Sequence, residues 1–447
     1  MTERTKRRRI LIMGAAGRDF HKFNVVYRSC TDCEVVAFTA AQIPGITGRC
    51  YPPSLAGSSY PDGIPILDEA ELADICRQEA IDTVVFAYSD IEHVEVMHKA
   101  SIALAAGADF RLLGPRSTML SARVPVIAVC AVRTGVGKSQ TTRWLSHLIK
   151  ERGLRTAVIR HPMPYGNLEM QAVQRFATMQ DLDAAHCTIE EREEYEPHIV
   201  AGSIVFAGVD YGRIIELAEA EADVILWDGG NNDFSFVKPD LQIVLVDPLR
   251  PGHETTHHPG EAVLRMADIV VVAKTNSAAA VDVQTVIDNA TAIAPDATIV
   301  RAASQVRLDD PAQVTGRRVL VVDDGPTITH GGMPYGAGYV AAVAAGAKEI
   351  VDPRTSAAGA IIDVYAQHDH IGRVLPAMGY SAEQLDDLAA TINGSSADVV
   401  VAGTPTDLGH LMALNKSVVR ARYDFNEVGE PKLSVLVNAF LSEHCCV

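Results

Sequence analysis

The sequence predicts an α/β protein in two parts: an N-terminal Rossmann-like domain over residues 1–122, then an extended P-loop NTPase domain with a mainly parallel sheet over 123–447. Three observations point there. Short apolar, β-branched runs alternate with helical patterns along the chain. Each part opens with a strand that runs directly into a glycine turn. The length, 447 residues, exceeds what one core usually holds.

In the first part strands are expected at 10–13, 34–38, 83–87 and 110–113, with helices at 70–79 and 94–106 between them. In the second, strands are expected at 126–132, 156–160, 224–228, 243–247 and 269–273. The helix expected at 138–152 carries Trp144, Leu145, Leu148 and Ile149 on one face and meets Gly153 as its stop. Later strands fall at 298–300, 319–322 and 399–402, with a sub-boundary near 310. Met-Pro-Tyr-Gly occurs at 163–166 and again at 333–336, each time after a predicted strand. Both are read as turns facing one cleft.

Apolar residues make up 48% of the chain and charged residues 21%, as in ordinary globular proteins. The net charge of −17 argues against a nucleic-acid partner, which needs a basic footprint. A small anionic substrate remains compatible, because a basic pocket can sit in an acidic protein. No apolar run reaches membrane-span length, and the basic start, MTERTKRRR, has no apolar core after it. The 8 cysteines are scattered, which fits a reduced, cytoplasmic setting; Cys30 and Cys33 form a lone CxxC read as structural.

The strongest local signal is Arg133-Thr134-Gly135-Val136-Gly137-Lys138-Ser139-Gln140, between a buried strand and a helix. Such a turn aims backbone N–H groups and a helix N-terminus at one point, which suits a triphosphate. Lys138 is expected to reach the β and γ phosphates, and the Ser139 hydroxyl to bind Mg²⁺. Val132 stands where the general GxxxxGK[ST] pattern has glycine. Arg133 stands where deviant loops of the form GKGGVGKT carry a lysine that reaches the phosphates, often across a dimer. Arg133 is therefore a candidate for that role in a homodimer; pairing with a surface carboxylate is the alternative.

The apolar run at 224–227 ends in Asp228-Gly-Gly-Asn-Asn-Asp233, so Asp228 is the expected Mg²⁺ ligand and Asp233 the reserve. The segment Ala273-Lys274-Thr275-Asn276 lacks the aspartate of a guanine-reading NKxD. Lys274 and Asn276 are expected near the base, and ATP is preferred to GTP. Arg160 and His161, at a strand end facing the γ phosphate, are candidates for catalysis and for a second anion. Arg18, Arg250, His330 and Arg420 are further cations at strand ends or glycine turns. The acidic run 190–196 is read as a solvated helix face, with Glu193 or Glu194 as alternative metal holders. His253-Glu-Thr-Thr-His257 matches HExxH, but Pro251-Gly252 and Pro259-Gly260 leave no room for the helix a zinc site needs. Gly14-Ala-Ala-Gly17-Arg18-Asp19 lacks the last glycine of a dinucleotide fingerprint.

The strings GAAGRDFHKFN (14–24), QIPGITGRCYPP (42–53), RTGVGKSQTTR (133–143), RHPMPYG (160–166), EEREEYEPH (190–198), WDGGNND (227–233) and MPYGAG (333–338) resemble the cyclic 2,3-diphosphoglycerate synthetase-like family, whose members are often labelled predicted P-loop GTPases. The resemblance covers nearly the whole chain. It implies ATP-driven closure of 2,3-diphosphoglycerate into an intramolecular phosphoanhydride, with Arg160, His161 and His330 placing the two substrate phosphates. The expected function is thus a Mg²⁺-dependent ATPase or synthetase acting on a small phosphorylated or carboxylated metabolite. The alternatives are a GTPase switch or metallochaperone-type NTPase working through a protein partner, and an NAD(P)-dependent dehydrogenase.

Overall fold

The computed structural model describes residues 7–41, 48–161, 163, 166–329, 331–378 and 382–445. The first part is a six-stranded sheet in the spatial order Cys50–Tyr51, Ile64–Asp68, Cys33–Ala40, Arg8–Met13, Thr83–Phe86, Asp109–Leu112. Every pairing is parallel except that of Cys50–Tyr51 with Ile64–Asp68. Leu11 and Met13 face helices Leu72–Gln78 and His93–Ala105, while Ile10 and Ile12 face Phe20, Phe23 and Tyr27. Burial on both faces explains why this strand is continuously apolar.

The second sheet has 13 strands, all from residues 126–428. The strand before the phosphate loop, Val126–Ala131, lies centrally between Val224–Asp228 and Leu241–Val246. Two pairings are antiparallel: Gln174–Phe176 with Ile204–Ala207, and Thr298–Leu308 with Val418–Val428. The second of these joins the phosphate-loop strands to another parallel set, Val399–Ala402, Arg318–Asp324 and Glu349–Ile350, which has its own core around Leu320, Val322, Ile361 and Leu388. The α/β class with mainly parallel sheets is therefore as the sequence predicts.

Two stretches differ from expectation. The strand at 298–300 runs on to Leu308, and its partner Val418–Val428 was not expected at all. That partner mixes Arg420, Arg422, Asp424 and Glu427 among its apolar residues because one of its faces meets solvent. It reads as a polar segment rather than as a buried parallel strand. The acidic run, expected on a solvated face, lies in helix Ile189–Val200 with Glu190, Glu191, Glu193, Tyr195, Glu196 and His198 all buried.

Sheet register assembles the site. Asp228 is the Cα partner of both Arg160 and Val129, so three strand ends converge where the phosphate loop begins. The N-terminal part packs onto the same edge. His21 stacks on Phe236 at 4.1 Å between ring centroids, and its Nε2 lies 2.6 Å from the Thr118 carbonyl. Ile91–Glu92 pairs antiparallel with His257–His258. Among the described residues no helix is long and apolar enough to cross a membrane.

Candidate active site

The phosphate loop has the expected strand–turn–helix form. Gly135 and Gly137 have φ of +76° and +122°, conformations side-chain-bearing residues rarely adopt. A Cβ on Gly137 would sit 2.5 Å from the Gln140 side chain. Helix Lys138–Glu151 starts immediately after Gly137, with no side chain capping its first amides. Those free donors line a cleft of about 610 Å³ together with Thr134, Lys138, Ser139 and Gln140. Lys138 is buried and donates to the Asn231 carbonyl. Burial lowers its pKa to about 8, and the nearby Asp228 charge opposes that shift.

Asp228 is completely buried at the end of its strand. Its Oδ2 meets Arg160 Nη1 at 2.6 Å and accepts from His198 Nε2 at 2.9 Å. Burial alone would raise its pKa, but the Arg160 guanidinium and His198 hold the carboxyl well below the usual range. Oδ1 is left buried without a hydrogen-bond partner. An orphaned carboxylate oxygen beside the phosphate loop fits the expected role toward Mg²⁺ or its water. His198 was not singled out in the sequence. It sits next to Pro197 in an acidic run, and only the packing of that helix against the Asp228 strand reveals it.

The other candidates separate into those that reach the cleft and those that brace it. Arg160 and His161 line it. Arg160, however, is held between Asp228 and Glu194. His161 Nδ1 lies 3.6 Å from Asp233, and burial lowers its pKa to about 4. Arg18 also lines the cleft and pairs with Asp233 at 3.1 Å. Asp233 is thus the counter-ion of Arg18 and a neighbour of a neutral His161. Lys274 and Asn276 line the cleft; Lys274 Nζ donates to the Gly135 carbonyl at 2.7 Å, and Asn276 exchanges hydrogen bonds with the Ser304 backbone.

Arg133 does not line the cleft. Its Nε pairs with Asp90 at 2.6 Å and its Nη1 meets His253 Nδ1 at 2.5 Å. The partner is a buried carboxylate of the N-terminal part, so this guanidinium is engaged within its own chain. Arg250 is likewise a brace: it pairs with Asp247 at 2.9 Å and donates to the carbonyls of Thr134 and Gly331 at 2.7 and 2.8 Å. Arg420 is bound to the Pro405 carbonyl and lies 3.8 Å from Asp407. His330 lies outside the described residues, as do Pro162, Pro164 and Tyr165 of the first Met-Pro-Tyr-Gly turn. In the second, Gly336 and Gly338 donate to the buried Asp323 at 2.8 and 2.7 Å. The HExxH segment is a single turn, His253–Thr255, followed by the short strand His257–His258.

Another part of the cleft lining is acidic. Glu190, Glu193 and Glu194 come from the buried helix and Asp324 from the end of strand Arg318–Asp324. Spacing within the acidic run gave the helix, but its inward face depends on a C-terminal strand far away in sequence.

No family model matches the chain. It is 57% identical over 428 residues to arginine synthetase ArcE of Thermococcus kodakarensis, which covers 96% of each chain. Among solved structures it is similar to LpxK of Aquifex aeolicus in complex with ATP, at 14% identity over 72% of this chain and 90% of that one, with a TM-score of 0.42. It is also similar to the hydrogenase maturation factor HypB of Archaeoglobus fulgidus, at 13% identity over 40% of this chain and 79% of that one, with a TM-score of 0.24. The protein is an enzyme of the ATP-dependent synthetase class. More particularly, the chain belongs to the family of arginine synthetase ArcE.

Membership in that family corrects the expected activity. The near full-length relative is named for making arginine, not a cyclic diphosphoglycerate. The cleft agrees with the correction. The cleft lining carries carboxylates, and Arg160, expected to bind substrate phosphate, is already paired with one of them, Glu194, and with Asp228.

Proposed function

We propose that this chain makes arginine by an ATP-dependent ligation in the cleft between the phosphate loop and helix Ile189–Val200. The observation that carries this reading is the charge arrangement of one cavity: cationic and amide-lined at Thr134–Gln140, acidic at Glu190, Glu193 and Asp324. A phosphorylated cosubstrate fits the first wall and a nitrogen-rich cationic product fits the second.

Making arginine by ligation means forming a C–N bond at the guanidino carbon. A ureido precursor carries oxygen where arginine carries one terminal nitrogen. Transfer of the γ phosphoryl group to that oxygen turns it into a phosphate leaving group. A nitrogen nucleophile then adds to the carbon, inorganic phosphate departs with the oxygen, and the surplus proton passes to a base. Lys138 and the loop amides stabilise the transferring group, the role a phosphate loop of this form has toward β and γ phosphates. Ser139 and the free Oδ1 of Asp228 would hold Mg²⁺, which supplies charge neutralisation on those phosphates. Lys274 and Asn276 flank the base. Arg18 and His161, tied to Asp233, stand beside the acceptor.

The test is product analysis. Purified protein with ATP, Mg²⁺, the ureido counterpart of arginine and an ammonium salt is expected to form arginine, ADP and phosphate in equal amounts. Release of AMP and pyrophosphate, or no arginine, would overturn the reading.

A further inference from the structure

We propose that Glu193, with Asp324 beside it, forms the seat for a cationic nitrogen of the ligand in this cleft. The proposal rests on the arginine-forming reading above and deepens it. Four observations support it. Glu193 is 5% exposed, yet its side chain lines the cleft. One carboxyl oxygen, Oε1, is bound to the Thr404 hydroxyl, while Oε2 is buried with no donor on it, and the Glu193 and Asp324 carboxyls lie within hydrogen-bonding reach of each other. Asp324 lines the same cleft, and its Oδ2 is fixed by the Thr327 amide at 3.0 Å. The two carboxyls come from different layers of the fold, one from helix Ile189–Val200 and one from strand Arg318–Asp324, and meet only at this cavity.

An unpaired buried carboxyl is costly unless the group is protonated or a ligand completes it. Burial, followed by the neighbouring Asp324 charge, pushes the Glu193 carboxyl well above its ordinary range; burial raises Asp324 as well. With no ligand the pair therefore retains a proton near neutrality. A guanidinium or ammonium group brings both a positive charge and N–H donors, and so replaces that proton on the pair. Other titratable or charged groups near the pair are Glu190 and Glu194 on the same helix, Arg160 at its strand end, Asp323 next to Asp324 on the same strand, and Tyr423 with Arg143. Arg160 is already neutralised by Asp228 and Glu194, so it does not cancel the acidic seat.

The expected consequence is proton release on binding. Affinity for the cation then rises with pH through the range in which the pair titrates, and levels off above it. Calorimetry of the whole protein, titrated with arginine, guanidinium chloride and ammonium chloride in buffers of different ionisation enthalpy, reads this directly. Binding of arginine with release of close to one proton, weakened tenfold or more in Glu193→Gln, supports the seat. Asp324→Asn, which keeps an acceptor for the Thr327 amide, is the second variant and is expected to weaken binding in the same direction. Retained binding of a non-hydrolysable ATP analogue shows that each variant is folded. Guanidinium binding without ammonium binding identifies the product's own head group as the occupant; ammonium binding identifies the free nitrogen source. If the protein binds arginine but neither variant changes its affinity, the seat is overturned while the arginine reading stands. If the protein binds none of the three probes, both fall.

Discussion

Two glycine turns open onto the same cleft, and only one of them is free to take a phosphate. At Gly14–Gly17, a strand runs into a short helix, Arg18–Lys22, and the turn is filled from within. Asp19 Oδ1 accepts from the amides of Ala16 and Phe20, both at 2.7 Å, and a Cβ on Gly14 would sit 2.4 Å from its Oδ2. At Gly135–Gly137, a similar turn leads into a long helix whose first residues border the cavity, and the one carboxylate on the loop, Asp90, takes the Thr134 amide ahead of the glycines and leaves the helix's first amides uncapped. The lesson is that a glycine turn after a strand is an anion site only when its donors are unspent. An internal aspartate satisfies the first turn and repels a second anion; Lys138 does the opposite at the second.

The comparison breaks most sharply at Lys138. Lys138→Ala is expected to lower arginine formation by about 10²–10³-fold, the scale for losing one preorganised charge on a transferring group. Stability should fall by about 1 kcal/mol, because the Asn231 carbonyl loses its donor. Steady-state rates and thermal melts check both halves. Next in size is Asp228→Asn, expected to cost roughly 10²-fold in turnover and to raise the Mg²⁺ concentration needed. A magnesium titration of the variant with no shift in half-saturation would remove Asp228 from the metal site.

Asp90 sharpens the comparison from the other side. This residue of the N-terminal part sits at a φ of +58°, pairs with Arg133, and accepts from the Thr134 amide at 3.0 Å. The free-standing loop is thus shaped by the domain whose own turn is closed. Asp90→Ala is expected to cost about tenfold in ATP-analogue affinity, through a loop that is no longer preorganised. Asp19→Ala should instead cost on the order of 1–3 kcal/mol of stability by leaving two amides unpaired. Its effect on nucleotide affinity should be within about twofold, measured by the same titration. Equal effects on nucleotide affinity at Asp19 and Asp90 would dissolve the distinction between the turns.

A further effect concerns pH. Burial holds Lys138 at about 8 in the free protein, and bound phosphates favour its charged form. Binding therefore takes up a proton above that pH, and nucleotide affinity should fall as pH rises from about 8, by at most about tenfold per unit. A flat profile between pH 7 and 9.5 would mean that the lysine does not touch the nucleotide.

Much of the fold was legible because parallel sheets announce themselves: 126–132, 156–160 and 224–228 are apolar runs of strand length ending in Thr134-Gly135, Arg160 and Asp228. The phosphate loop was legible for the same reason, since its residues are contiguous. Residues that act through distant partners were not. Arg133 reads equally as a phosphate ligand or as the partner of a carboxylate, and only the fold sets Asp90, 43 positions earlier, against it. Glu193 looked solvated because the run 190–196 is rich in charge, and His198 beyond it drew no notice; only the strands this helix packs on decide which way it faces. The cyclic diphosphoglycerate reading failed for a related reason: the resembling strings include the acidic EEREEYEPH, and which way that helix faces is set by segments joined to it only in three dimensions.

The most direct measurement of the central claim is a crystal structure with a non-hydrolysable ATP analogue and Mg²⁺. The triphosphate is expected within Thr134–Ser139, with Lys138 released from the Asn231 carbonyl onto the phosphates and the Gly14–Gly17 turn still closed over Asp19. A triphosphate seated at Gly14–Gly17, with Lys138 still bound to Asn231, would contradict it.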